Sequence, residues 1–421
     1  FATVNCIYHM GSKMKTVAAA AVTVNFAIAT VALMEFAYLL WSSWRDDNLL
    51  VDLEFCCVYL LEKRESFRKL IKKFRENISE DVFKLHDDFG EERRSRRKLK
   101  EMYINAIIQE GREKSWRSRI ENKNRHEIYK AYFELPADAR TITRAQDLFK
   151  PMLRHEPKTI LVVGRPGIGK TLLTKQLLYQ YKDEKFWHDK IVMVIRFRDF
   201  NKAKDRTSLQ EMLKLACGSD MSSMDNNHIY ECICLVPNKV VLIFDGLDEL
   251  KVGHTHVLQI YRQLVKGELL RGITVLTTSR PTAEHIYQDL EFHREVEIMG
   301  FHAEQIEEYV KNFCDPDKQK SSQIWNLIEQ SPELLGLCYI PVNSYIVCLT
   351  LKESIEAEGE TNAPRTITEL YKRAINVLLF RHHRDYRDKE TPKNYITGKL
   401  PEQLQNDLNE LKEIAIQGMI E

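Results

Sequence analysis

The stretch from Thr159 to Tyr181, TILVVGRPGIGKTLLTKQLLYQY, constrains the fold of this chain more than any other stretch. It begins with a short apolar run at 160–163 that is rich in β-branched side chains, as buried parallel strands are. A glycine-rich loop follows directly, and after the loop leucines recur at helical spacing. The sequence therefore predicts a strand, a loop and an amphipathic helix in immediate succession.

The loop fits the pattern G-x-x-x-x-G-K-[ST] without a mismatch, which identifies it as a phosphate-binding loop, or P-loop. Its glycines allow backbone angles that other residues resist, so successive N–H groups can surround phosphate oxygens at the helix N-terminus. In such a loop the Lys170 ammonium reaches the β- and γ-phosphates, and the Thr171 hydroxyl binds Mg²⁺. A chance glycine turn is the alternative, and it leaves the strand and helix on either side unexplained. The predicted nucleotide-binding residues of the loop are Gly164, Arg165, Pro166, Gly167, Ile168, Gly169, Lys170, Thr171 and Leu172.

A second apolar run, Val240 to Phe244, ends in an acidic group. Asp245 comes directly after the run, and Asp248 and Glu249 follow three and four residues later. Ligands of open α/β sheets bind at the carboxyl ends of the strands, so we expect Asp245 to hold Mg²⁺ through water. Asp248 and Glu249 are then predicted to be catalytic, because a carboxylate near the γ-phosphate can orient or deprotonate the attacking water.

The stretch GITVLTTSRP at 272–281 predicts a further buried strand, which ends in Thr277, Thr278, Ser279 and Arg280. A guanidinium at the end of a buried strand suggests a nearby anion, and Arg280 is predicted to contact the γ-phosphate of ATP, which ADP lacks. The alternative is a surface ion pair between Arg280 and Glu284 or Asp289. Apolar runs alternate with helical or polar sequence throughout this part of the chain. We therefore predict an α/β fold with a parallel sheet flanked by helices.

The N-terminal part of the chain is different in composition. Residues 16–34 carry no charge, so a transmembrane segment at 16–41 is one interpretation, and a buried segment or a signal peptide are the others. Residues 62–130 are charged and helical in pattern, with 21 Lys and Arg against 14 Asp and Glu. Acidic residues interleave with the basic ones, which favours solvated helices over a specific nucleic-acid surface.

The net charge and the cysteine spacing limit the partners, compartments and metal sites that the sequence suggests. The net charge of +1 over 421 residues indicates no particular partner. The nine cysteines are scattered and never spaced C-x-x-C, which is typical of reduced, buried thiols in an intracellular protein and argues against a zinc site. The sequence starts at Phe1 and stops within a helical pattern, so we expect a fragment of a longer protein.

Together, GRPGIGKT, LIFDGLDEL and TTSRP resemble the motifs of one family, the NACHT branch of the STAND P-loop NTPases found in NOD-like immune receptors. The resemblance covers roughly residues 150–421. It continues through the segments at 296–313, 334–348 and 366–375, which are similar to the start and two later helices of the family's helical domain. No N-K-x-D sequence of the GTPase kind is present. The family's nucleotide-sensing histidine and its sensor repeats have no counterpart in this sequence.

The resemblance implies a domain order and several ligands. It implies ATP or ADP with Mg²⁺ as cofactors, and it implies that Pro341 lies against the adenine base. A plain helix start would also explain Pro341. The expected domains are an N-terminal region at 1–60, a charged helical region at 61–150, a NACHT nucleotide-binding domain at 151–300, a helical domain at 301–390 and the start of a winged-helix domain at 391–421.

The function implied is a signalling switch in innate immunity or cell death, in which exchange of ADP for ATP favours self-association. Such a protein is at most a slow ATPase, resides in the cytoplasm unless 16–41 anchors it to a membrane, and acts through an adaptor or effector protein that the sequence does not identify. Two alternatives come from other classes. One is a free-running ATPase of the AAA+ type, and the other is a membrane-tethered scaffold with a structural nucleotide.

Overall fold

The computed structural model of this protein describes residues 67–78, 82, 103–110 and 140–420, with internal gaps. The gaps lie at 143, 152–154, 202–206, 218–229, 231–232, 235, 252, 359–363, 365 and 383–399. The candidate transmembrane segment at 16–41 lies outside the described residues. In the described part of the chain, the search for a helix long and apolar enough to cross a bilayer finds none.

The strands of the described residues form one mixed, seven-stranded sheet with the order β2-β1-β7-β3-β6-β5-β4. Three neighbouring strands are parallel, because β5 pairs with both β4 and β6 in parallel register. The other end of the sheet is antiparallel, because β1 pairs with β2 and β7 in that direction. The strands are β1 (Ile107–Glu110), β2 (Arg140–Ile142), β3 (Thr159–Gly164), β4 (Ile191–Arg196), β5 (Val240–Asp245), β6 (Thr274–Ser279) and β7 (Arg294–Gly300).

The α/β class is confirmed, but the sheet is mixed where the sequence predicted a parallel one. The difference arises at β1, which lies in the charged region that was expected to be helical. Ile107 and Ile108 are β-branched, and Ile108 is buried beside its β7 partner Ile298. This pairing joins segments far apart in sequence, so no local pattern in the charged region revealed it.

Helices connect and follow the strands. The P-loop helix and those after it are α1 (Lys170–Lys182), α2 (Phe197–Phe200), α3 (Leu209–Cys217), α4 (Thr255–Val265) and α5 (Glu284–Tyr287). After β7 the described chain is helical, with α6 (Ala303–Cys314), α7 (Lys318–Glu329), α8 (Pro332–Cys338), α9 (Pro341–Glu358), α10 (Ile367–His382) and α11 (Glu402–Ile420). The predicted change from α/β to helical sequence near residue 300 therefore appears in the structure, while the winged-helix assignment of 391–421 stays a prediction.

The described chain divides into two compact units, and the first contains residues 67–78 together with the described residues of Phe149–Leu161 and Leu178–Arg294. Its core is aromatic at the carboxyl ends of β4 and β5. Phe197, Phe244 and Tyr261 lie with ring centroids 5.2–5.4 Å apart, and all three are fully buried. Such packing fixes the strand ends that carry the acidic motif.

The helix at 67–76 packs on the same unit through a buried arginine. The Arg75 guanidinium lies 2.5 Å from the Glu184 carboxylate, donates to the His188 carbonyl oxygen at 3.0 Å and lies over the Tyr181 ring. Leu70 of the same helix is buried as well. This segment is therefore attached to the end of the P-loop helix.

The second unit contains residue 82, the described residues of 103–148, Val162–Leu177 and the described residues of 295–420. Its helices share one apolar core, to which Phe301, Val310 and Leu351 contribute from different elements. Three cysteines of this core, Cys314, Cys338 and Cys348, are buried free thiols, as predicted. Burial raises the pKa of Cys338 to about 12, so this thiol stays protonated.

Candidate nucleotide site

The phosphate-binding loop connects β3 to α1 as the sequence predicted. Gly167 and Gly169 have φ angles of 72° and 104°, in the left-handed region that favours glycine. Gly164 has an ordinary φ, but a Cβ there would come within 2.7 Å of Ile168 Cγ2. Either the backbone angle or the lack of space therefore favours glycine at each of these three positions. The helix α1 begins directly after them at Lys170.

The Lys170 side chain folds back over the loop that precedes it. Its Nζ donates to the carbonyl oxygens of Gly164 at 2.7 Å and Arg165 at 3.1 Å. These contacts hold the ammonium at the N-terminus of α1, where the helix dipole favours an anion. Thr171 is exposed in the first turn of α1.

The start of α9 contacts the loop from the other side, within the second unit. The Val342 N–H donates to the Gly167 carbonyl oxygen at 3.3 Å, and a Cβ on Gly167 would overlap the Val342 side chain. The preceding turn is also fixed, because the Phe301 N–H donates to the Tyr339 carbonyl oxygen at 3.0 Å. Pro341 is the first residue of α9, so it does start a helix, and its contact with a base stays a prediction.

Asp245 lies at the end of β5 in the first unit, and a threonine of β6 orients it. The Thr278 hydroxyl donates to Asp245 Oδ1 at 2.7 Å and accepts from the Gly246 N–H at 2.9 Å. Thr278 is fully buried and Asp245 nearly so. The hydroxyl thus fixes both the carboxylate and the start of the turn after it.

Asp248 and Arg280 form an ion pair in the same unit. Arg280 Nε lies 2.8 Å from Asp248 Oδ2, and the Arg280 backbone N–H donates to Asp248 Oδ1 at 3.1 Å. The sequence had suggested Glu284 or Asp289 as alternative partners of Arg280. Asp289 instead lies 2.7 Å from Arg262.

Glu249 ends the short turn that follows Asp245. Burial raises the pKa of its carboxyl group, the nearby Asp248 and Asp245 raise it further, and the positive charges of Arg198 and Arg280 lower it. The net direction is upward, which moves the group toward the range of a general base that works near neutral pH.

The structure places the predicted residues in two groups. Asp245, Asp248, Glu249 and Arg280 lie together in the first unit, whereas the loop from Val162 onward and Pro341 belong to the second. The sequence assigned no role to Thr278, Asn201 or Val342, although Thr278 belongs to the TTSRP motif; Asn201 hydrogen-bonds the backbone of Glu249 and Lys251 in the acidic turn. An asparagine and a valine of ordinary spacing carried no signal.

The chemistry of these groups fits a magnesium nucleotide. The loop supplies glycine N–H groups and the Lys170 ammonium, which bind phosphate oxygens. In the second unit Thr171 offers a hydroxyl, and in the first unit Asp245 offers a carboxylate; each is an oxygen ligand of the kind that Mg²⁺ prefers. Fold and loop together define a P-loop NTPase.

Comparison with known proteins narrows this class. The NACHT domain family model matches residues 158–317. Over 250 residues the chain is 27% identical to NACHT, LRR and PYD domains-containing protein 12 of Homo sapiens, covering 54% of this chain and 23% of that protein. Over 276 residues it is 28% identical to protein 3 of the same series from Bos taurus, covering 58% and 26%. Residues 158–317 therefore form a NACHT domain, and the relatives just named are NACHT, LRR and PYD domains-containing proteins.

The matched part of the relatives is limited, since the chain spans about a quarter of their length. Among solved structures, the crystal structure of Cdc6p from Pyrobaculum aerophilum is similar with a TM-score of 0.32 and 13% identity, over 64% of this chain and 82% of that one. This likeness is weak, and the family assignment depends on the family model and the curated relatives.

Proposed function

We propose that this protein is a signalling switch that binds ADP and ATP through its P-loop, with Mg²⁺ held by the Thr171 hydroxyl and the Asp245 carboxylate. Bound Mg²⁺ supplies positive charge to the phosphates. Exchange of ADP for ATP favours a self-associating state, and any hydrolysis is slow and resets the switch. Because the cysteines at 314, 338 and 348 are free thiols, we place the protein in the cytoplasm.

One observation supports the proposed switch above all, namely the hydrogen bond between the Val342 N–H and the Gly167 carbonyl oxygen. In a P-loop the N–H groups serve the phosphates, so the carbonyl oxygens are available to other parts of the protein. Here the first turn of α9 donates a hydrogen bond to one of these carbonyl oxygens, that of Gly167. Rearrangement of the loop by a nucleotide therefore changes a contact of the helical elements, and a nucleotide shifts the switch by its differential affinity for the two arrangements.

The test compares wild type with Lys170→Ala in titrations with fluorescent ATP and ADP, using the whole chain. We expect the variant to lose nucleotide binding, because the phosphates lose a charge-assisted partner that contributes about 1.5–3 kcal/mol. Lys311→Ala, an exposed lysine that pairs with Glu307 on α6, is the matched control and keeps its affinity. Equal affinity of Lys170→Ala and wild type would contradict the assignment of the loop.

Sedimentation velocity of the wild type with ATP and with ADP tests the switch itself. We expect larger assemblies with ATP. Rapid multiple turnover without any change in assembly would favour a free-running ATPase instead, and binding without turnover or assembly would favour a structural nucleotide.

A further inference from the structure

The short helix α2 lies beside the acidic turn in the first unit. It begins directly after β4, whose last residue, Arg196, pairs in register with Asp245. Phe197 and Phe200 are buried, and Phe197 packs against the Phe244 ring with centroids 5.4 Å apart. These rings attach α2 to the core, so the residue that follows α2 has a fixed position.

That residue is Asn201, and its side-chain amide makes two hydrogen bonds to the backbone of the turn. Its Nδ2 donates to the Glu249 carbonyl oxygen at 2.8 Å, and its Oδ1 accepts from the Lys251 N–H at 2.9 Å. One amide therefore binds the chain on both sides of Leu250, as a neighbouring strand does. On the near side, the Glu249 N–H donates to the Gly246 carbonyl oxygen at 2.9 Å.

We propose that Asn201 is a positioning residue for ATP hydrolysis, which fixes the backbone of Glu249 and so aims its carboxylate at the attacking water. This inference rests on the proposed nucleotide function and adds a residue to it. The direction of a side chain follows its backbone, and a displacement of about 1 Å can cost a hundredfold in rate. Asn201 would act only through the backbone of the acidic turn, so we expect its loss to affect the chemical step and to leave nucleotide affinity intact.

The experiment measures single-turnover cleavage of bound ATP and, separately, the affinities for ATP and ADP, with the whole chain. For Asn201→Ala we expect cleavage to fall roughly ten- to a hundredfold while both affinities stay within about twofold of wild type. Asn201→Asp keeps the acceptor for the Lys251 N–H but loses the donor, so we expect an intermediate rate. Asn409→Ala, on α11, is the matched control and cleaves like wild type.

Each result has a defined meaning. Unchanged cleavage in Asn201→Ala overturns the inference, as does a parallel loss of affinity and thermal stability in both variants, which makes Asn201 only a structural brace. A wild type that binds ATP and never cleaves it overturns the inference and leaves nucleotide binding standing. A wild type that binds no nucleotide refutes the proposed function as well. If Asn201→Ala does not fold, the rate of Asn201→Asp decides.

Discussion

Arg280 and Asp248 neutralise each other in an ion pair whose two sides differ in exposure. The Asp248 side chain is 9% exposed and the Arg280 side chain 43%. The buried carboxylate therefore depends on the arginine for a counter-charge, whereas the guanidinium is open to solvent and to an incoming phosphate. We infer that a γ-phosphate competes with Asp248 for Arg280, which links the nucleotide state to a predicted catalytic carboxylate.

The Arg280→Ala variant tests this link. We expect it to weaken ATP binding and spare ADP, because only ATP has a γ-phosphate. A lost charge-assisted hydrogen bond predicts a change of about 1.5–3 kcal/mol, or roughly ten- to a hundredfold, in the ratio of the two affinities. Paired calorimetric titrations measure that ratio. Arg262→Ala, which breaks the Arg262–Asp289 pair, is the control, and equal loss of both nucleotides in Arg280→Ala would make Arg280 structural.

Neutral substitutions of the two acidic residues separate binding from cleavage. Glu249→Gln and Asp248→Asn keep the approximate shape but cannot accept a proton, so we expect ATP to stay bound longer while single-turnover cleavage slows by roughly a hundredfold or more. Filter-binding retention and quenched-flow cleavage report the two quantities. Glu291→Gln on the surface is the matched control. If Asp245→Asn alone showed this behaviour, the division of roles between the three carboxylates would be wrong.

The raised pKa of Glu249 gives cleavage a definite pH dependence. A general base must be ionised. Because its pKa is raised, Glu249 becomes protonated at a higher pH than an ordinary glutamate, whose pKa is about 4.3. Cleavage therefore falls as the pH is lowered through the raised value. Arg198→Ala removes a positive charge that lowers this pKa, so the fall moves to higher pH. Single-turnover rates between pH 5 and pH 8 test the shift. An unchanged pH profile in Arg198→Ala would show that Arg198 does not influence the pKa of Glu249.

Thr278→Val tests the hydroxyl that orients Asp245. The shapes of the two side chains are similar, but the variant leaves the buried Gly246 N–H without its acceptor and costs about 1–3 kcal/mol of stability. We expect a lower thermal midpoint and a weaker dependence of ATP affinity on Mg²⁺. Thr350→Val is the control, since the Thr350 hydroxyl donates to a carbonyl oxygen within its own helix. An effect of equal size in both variants would count against a special role for Thr278.

Much of the parallel part of the sheet was predictable because its signals are local. β3 and β5 contain continuous apolar runs that lead to Gly164 and Asp245, and β6 is a buried strand that leads to Arg280 directly after it. β1 was missed because a four-residue strand in a charged region depends on partners far away in sequence.

In the candidate site, too, only the residues with local sequence signals were predictable. The residues of the P-loop were predictable from their spacing. The partner of Arg280 was sought among nearby residues, but it is Asp248, in the turn that follows β5. Asn201 gave no signal at all, since its role follows from where the aromatic core holds α2.

Gly300 lies outside every nucleotide motif, yet the structure makes it sensitive. Its φ of 107° is costly for other residues, and a Cβ there would overlap the Tyr339 carbonyl oxygen, a backbone atom that cannot rotate away. A substitution at this position is therefore expected to displace the turn that leads into α9 and to weaken the hydrogen bond between Val342 and Gly167. Gly300→Ala is expected to alter nucleotide retention although it leaves the P-loop sequence intact, and nucleotide-release measurements on the variant check this.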